Sequence, residues 1–210
     1  MKKPNNTYKK IPEPVLKGGA VLLICFILLA LPVVLKAQMT EGGFKGGLNV
    51  STLWGGFDPD EKSAFVTGIH AGVFTVHKLN ETFSLQPELL YSRQGNKTTY
   101  SYVSGGESYK NSRENRETHI VIPVLLKYNS ALPVDLLAGP QLGILFSGFK
   151  GTLGLSAGAE YQLNDHFVSG ARINLGLTKT TDGHRDLVFQ FYVAYRGLLN
   201  ISKIKLLEPL

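Results

Sequence analysis

The sequence predicts an all-β protein, an eight-stranded antiparallel up-and-down transmembrane β-barrel, and three observations carry that expectation. Apolar and polar residues alternate with period two along most of the chain after Phe44, and no convincing 3.6-residue pattern competes. Connections between the alternating runs are short and long in turn. Glycine crowds the polar face, while aromatic residues gather at both ends of the apolar face.

The chain begins with a polar, lysine-rich stretch, residues 1–17, then an apolar run from Gly18 to Leu35 broken only by Pro32, then Lys36-Ala37-Gln38. A positive start, an apolar centre and a small residue before a polar continuation are the parts of a secretory signal peptide, here 1–37 with cleavage after Ala37. An uncleaved anchor is the competing reading, but eighteen residues lie at the short end of the roughly 17–25 that a spanning helix needs. Cys25 sits inside the apolar run without the small preceding residue of a lipidation site, and as the single cysteine it excludes a disulfide framework. Of the formal charge of +6, residues 1–37 supply six lysines against Glu13. Residues 38–210 hold 16 basic and 15 acidic side chains, so the mature chain lacks the excess that binding nucleic acid would require.

The barrel is expected over 38–196, with 197–210 a C-terminal tail or an extension of the last strand. Two segments, 44–54 and 64–78, alternate loosely. Six more alternate cleanly: 82–94, 118–128, 134–146, 152–163, 166–178 and 186–196. Followed to Tyr91 in the first of them, from Ile120 in the second and to Ile144 in the third, the apolar face of those six carries 33 residues with no charge and a single serine, Ser169. Short turns fall near 79–81, 129–133 and 164–165, and longer polar connections at 55–62, 95–117, 147–151 and 179–185. Alternation alone leaves open which face points outward, since a secreted soluble barrel would bury the apolar one. Gly139, Gly143, Gly154, Gly158, Gly170 and Gly176 suit the cramped interior of eight strands better than a solvated surface. Phe83, Tyr128, Tyr161, Phe167 and Tyr195 lie at the turn side, and Trp54, Phe65 and Tyr91 at the loop side, as interfacial girdles would. Pro87, Pro123 and Pro140 fall mid-strand, where each should mark a bulge or a local break.

Several of these stretches resemble the PorT-like outer-membrane β-barrel family. Gly42-Gly43-Phe44-Lys45-Gly46-Gly47-Leu48-Asn49-Val50-Ser51-Thr52-Leu53 is similar to its opening strand, and Leu85-Gln86-Pro87-Glu88-Leu89-Leu90-Tyr91-Ser92-Arg93-Gln94-Gly95 to its third. Ile122-Pro123-Val124-Leu125-Leu126-Lys127-Tyr128 and Ala138-Gly139-Pro140-Gln141-Leu142-Gly143 are similar to the next two, so the three prolines stand at family motif positions. The resemblance covers roughly 42–196 and implies an eight-stranded barrel in the outer membrane of a bacterium, delivered by a signal peptide and folded by the barrel-assembly machinery; the chain is expected to be a monomer among outer-membrane lipid. It implies no particular activity. The chain departs from the pattern at its end, where such barrels finish on an aromatic and this one continues for fourteen residues after Arg196.

The search for chemistry yields no catalytic, cofactor-binding or metal-binding residues. Gly154-Leu155-Ser156-Ala157-Gly158 matches the nucleophile-elbow pattern, yet it lies inside an alternating strand and no helix follows. His70 and His77, seven apart, face opposite sides of a strand, and no metal-ligand spacing occurs among His70, His77, His119, His166 and His184. A lipid-directed hydrolase would have to assemble from His70 or His119 with Ser84, Ser92 or Ser156. The charges expected in the lumen are Lys45, Glu88, Lys127, Asp135, Glu160, Arg172 and Arg196. Their near balance predicts ion pairs plugging the interior, with Lys127 and Asp135 the best pair, whereas a narrow polar channel is the functional alternative. The longest connection holds Tyr100, Tyr102, Tyr109, Arg113 and Arg116, a composition suited to recognising an extracellular ligand. Its plainer reading is a solvated hairpin extending the third and fourth strands.

Overall fold

The computed structural model describes residues 40–55, 61–104, 107–146, 150–179 and 183–198. The expected signal peptide 1–37, with Cys25, and the tail from 199 onward lie outside the described residues. Nine strand segments occur among those described: β1 (Thr40–Trp54), β2 (Glu61–Ala64), β3 (Val66–Lys78), β4 (Phe83–Ser104), β5 (Glu107–Tyr128), β6 (Val134–Leu145), β7 (Lys150–Gln162), β8 (Phe167–Gly176) and β9 (Arg185–Leu198). The ninth arises because Phe65 interrupts the expected second strand, leaving β2 to pair with β4 alone. The other eight run antiparallel in the order β3-β1-β9-β8-β7-β6-β5, with β4 joining β3 to β5 and closing the ring. The last strand continues beyond Arg196, since Gly197 and Leu198 still pair with Gly42 and Glu41.

The register sets the width of the ring. Following backbone partners from Thr40 leads to His77, Leu85, Leu126, Ala138, Ala157, Ile173 and Phe189, and returns to β1 at Val50. Closure is thus displaced by ten residues along the strand. Eight strands with that shear tilt by roughly 40° and enclose a space that side chains can fill.

Burial decides which face points outward. Phe44, Leu48, Ile69, Leu136 and Phe191 are each more than half exposed, while Lys45, Gln86, Glu88, Lys127 and Arg172 are buried. An apolar belt of this extent is stable only among lipid, where its exposure carries no hydration cost. Turn-side aromatics meet in pairs across neighbouring strands, Phe83 with Tyr128 at 5.7 Å and Phe167 with Tyr195 at 5.5 Å between ring centroids.

The three prolines produce local breaks, not bulges. On β3 no residue pairs with Gln86 or Pro87, although Phe74↔Glu88 and His77↔Leu85 keep one register. Pairing lapses likewise at Ile122 and Pro123 against β4, and at Gly139 and Pro140 against β5. Proline removes a ladder donor, but the register on either side is held by enough pairs that no residue is inserted.

The connection 95–117 takes the plainer of its two expected forms, a hairpin extending the third and fourth expected strands. β4 and β5 pair without interruption from Arg93↔Thr118 to Ser104↔Glu107. The β5–β6 ladder ends at His119↔Leu145, so the two strands continue beyond that neighbour as an arm, against whose β4 side β2 pairs from Lys97 to Tyr100.

Candidate functional site

The lumen is built from strands on every side of the ring. Lys45 on β1 places Nζ 2.7 Å from Glu88 Oε1 on β4, and the other Glu88 oxygen accepts from Arg172 Nη1 on β8 at 2.9 Å. Lys127 on β5 sits 2.8 Å from Glu160 Oε2 on β7 and 3.0 Å from Asp135 on β6. Lys45 also lies 3.6 Å from Glu160, which joins the two halves. Lys45, Lys127 and Arg172 therefore balance Glu88, Glu160 and Asp135 within one connected cluster. All but Asp135 are almost fully buried, and pairing of this kind is the condition under which buried charge is tolerated.

Arg196 is the exception among the expected lumen charges. It pairs instead with Glu41, 3.3 Å away at the turn-side rim. Phe74, Val76, Val168, Tyr192 and Ala194 form an apolar cluster packed against the network, which itself reaches the turn side where Asp135 accepts from the Ser130 backbone.

Uncharged partners complete the network. The Tyr192 hydroxyl donates to Glu160 Oε1 at 2.9 Å, and Lys45 Nζ stands 4.1 Å from the centroid of its ring. That ring packs so closely over Gly170 that a Cβ there would meet it at 2.4 Å. Gln86 donates to Glu88 Oε1 at 2.9 Å, Gln190 Oε1 accepts from Arg172 Nη2 at 2.7 Å, and Gln190 Nε2 donates to Asn49 Oδ1 at 3.0 Å. Sequence reasoning passed over these four residues because amides and a tyrosine raise no question of charge balance. The signal was present in their parity, which puts Gln86, Gln190 and Tyr192 on the polar face.

The residues considered for a hydrolase do not converge. His70 Nδ1 lies 2.8 Å from Asn49 Oδ1. Ser92 accepts from Asn49, Ser84 accepts from Asn129, and Ser156 lies within hydrogen-bonding distance of Gln141 and Asn174. Among the described residues, none of the three serines is hydrogen-bonded to a histidine. Ser156 is mid-strand in β7, without the turn an elbow requires. At the loop-side mouth His119 faces Glu117 at 3.4 Å, and a small polar recess is lined by His119, Gln141, Arg172, Asn174, Asp186 and Gln190.

The arm is the second candidate. Tyr109 and Arg113 are exposed and share the parity of lumen-facing His119, while Arg116 has the opposite parity. Arg116 Nε donates to Glu114 at 2.6 Å, and Nη1 donates across β4 to the Thr67 carbonyl at 3.2 Å. The backbones of Tyr100 and Tyr102 pair with Asn111 and Tyr109. The five residues named for recognition thus share one arm but not one face.

Three solved structures are similar in shape. Outer membrane protein OprG from Pseudomonas aeruginosa aligns with TM-score 0.45 and 11% identity, over 77% of this chain and 97% of that one. Ail, the attachment invasion locus protein of Yersinia pestis, gives 0.43 and 14%, over 76% and 100%. Neisserial surface protein A gives 0.43 and 13%, over 75% and 97%. No curated protein matches the sequence. The family model for the outer membrane protein beta-barrel domain matches residues 36–152, more than half the chain. With its closed ring, lipid-facing apolar belt and ion-paired lumen, this chain belongs to the outer membrane protein beta-barrel domain family and resides in the bacterial outer membrane.

Proposed function

We propose that the protein is a non-catalytic, non-conducting barrel that displays the β4–β5 arm for binding at the cell surface. The observation that carries this reading is the continuous pairing of β4 with β5 out to Ser104↔Glu107, well past the last β5–β6 pair. An arm of this length costs conformational entropy to order, and a barrel needing only to close could connect these strands with a short turn. The charge network and the apolar cluster packed against it support a structural role for the lumen over a channel. The order of the motifs around Pro87, Pro123 and Pro140 supports a PorT-like member of the family. The closed ring offers no free edge within the membrane, which fits a monomer in contact with lipid and inserted by the barrel-assembly machinery. Tyr109 and Arg113, exposed on one face, are suited to contact an extracellular ligand.

Replacing 96–115 by a two-residue turn tests the reading. The shortened barrel should still show a heat-dependent shift in SDS gels, because the paired wall below Arg93↔Thr118 is untouched. Surface binding of the bacterium to extracellular matrix or host cells should fall to the level of a deletion strain. Unchanged binding would refute a surface-binding role for the arm.

A further inference from the structure

We propose that the outward face of the β4–β5 arm is a docking surface for the phosphate groups of anionic glycolipid in the outer leaflet. On β4 the outward positions run Phe83, Leu85, Pro87, Leu89 and Tyr91, and the next outward side chains are Arg93 and Lys97, both exposed. Arg116 pairs with Gly95, between those two, and has the same outward parity. Diagonal neighbours on one sheet face lie about 7–8 Å apart, so Arg93, Lys97 and Arg116 surround a position that carries no side chain. Farther out, Lys110 pairs with Ser101, and Lys62 of β2 pairs with Thr99, again outward and exposed.

Five cations thus share one face with a single carboxylate, Glu114, which is engaged by Arg116 at 2.6 Å. Among the described residues, no carboxylate lies within ion-pairing distance of Lys62, Arg93, Lys97 or Lys110. Height supplies the second argument. Tyr91 belongs to the loop-side girdle, and each residue of a strand tilted by roughly 40° climbs about 2.5 Å. Arg93 and Arg116 therefore sit within roughly 5–10 Å of the lipid boundary, where headgroup phosphates lie, and guanidinium matches phosphate in a paired, planar geometry. Lys62 and Lys110 reach the more distal sugar phosphates. This inference rests on the membrane placement and not on the arm's binding of an extracellular partner, so either can fail alone.

The test uses the refolded mature barrel in detergent, probed with lipid A carrying both phosphates, with chemically dephosphorylated lipid A, and with inorganic phosphate as competitor. The phosphorylated lipid should bind at least tenfold more tightly than the dephosphorylated one, and added salt should weaken only the former. A variant combining Lys62→Gln, Arg93→Gln, Lys97→Gln and Lys110→Gln should lose that preference while keeping its heat-dependent gel shift. If the combined variant fails to fold, Arg93→Gln and Lys97→Gln singly should each weaken binding severalfold. Equal binding of the two lipids, or unchanged binding by a folded variant, would overturn the proposal. Full displacement by millimolar inorganic phosphate would also overturn it, by identifying a site for the free anion.

Discussion

Glu88 is the residue on which the lumen turns, because its two oxygens hold cations from strands on different sides of the ring, Lys45 and Arg172. Glu88→Gln keeps the shape and removes the charge, leaving Lys45 with only the longer contact to Glu160. Losing one partner of a buried pair costs about 3 kcal/mol or more, because the remaining charge stays desolvated. The variant should therefore unfold at markedly lower urea concentration, read by the loss of the heat-dependent gel shift. Adding Arg172→Gln should recover part of that loss, and strict additivity of the two changes would show the contact to be energetically idle. At this scale the sequence was informative about charge and silent about its reach. Period two placed Lys45, Glu88 and Arg172 on the polar face, but residues on β1, β4 and β8 meet across a lumen whose diameter only the register determines. Arg196 has the same parity and misses the network because parity carries no information about height.

At the scale of elements, two turns share one chemistry. In Leu79-Asn80-Glu81-Thr82-Phe83 the Asn80 side-chain oxygen accepts from the backbone N–H groups of Thr82 and Phe83, at 2.9 and 2.8 Å. Leu163-Asn164-Asp165-His166-Phe167 repeats the pattern, with Asn164 accepting from His166 and Phe167 at 2.9 and 2.8 Å. Asparagine is favoured here because its short side chain closes the turn in place of a backbone carbonyl. Asn80→Ala and Asn164→Ala should each cost about 1 kcal/mol, lowering the urea midpoint of the folded band, whereas Asn80→Asp should be nearly neutral. An Asn→Ala midpoint within error of wild type at both sites would refute this role. The positions of these turns were legible because amphipathic strands flank them. The arm was harder to read, since from Asn96 to Glu117 both faces are polar and the contrast that marks a membrane strand disappears. What signals strand there is only that polar residues continue without a breaker on either side of Gly105-Gly106.

The molecule as a whole is a closed ring of eight strands with a shear of ten residues, and two interlocking clusters occupy its interior. One is the neutral ion-pair cluster. The other is the apolar cluster of Phe74, Val76, Val168, Tyr192 and Ala194, joined to the first where the Tyr192 hydroxyl donates to Glu160. An ion crossing this barrel would have to replace paired charges and shed water against the apolar side chains packed beside them. Wild-type protein in a planar bilayer should therefore give no stepwise conductance, and discrete steps would favour the narrow-channel reading instead. Opening the path should require changes in both clusters. Replacing Lys45, Glu88 and Arg172 by serine removes the ion pairs of Glu88 yet leaves Lys127 paired with Glu160 and Asp135 and the apolar cluster in place, so that variant should stay silent. Adding Phe74→Ser and Val168→Ser wets the apolar cluster and should allow small, frequent steps, provided that the gel shift confirms an intact ring. Conductance from the first variant alone would show that the charges are the barrier and the apolar cluster contributes nothing.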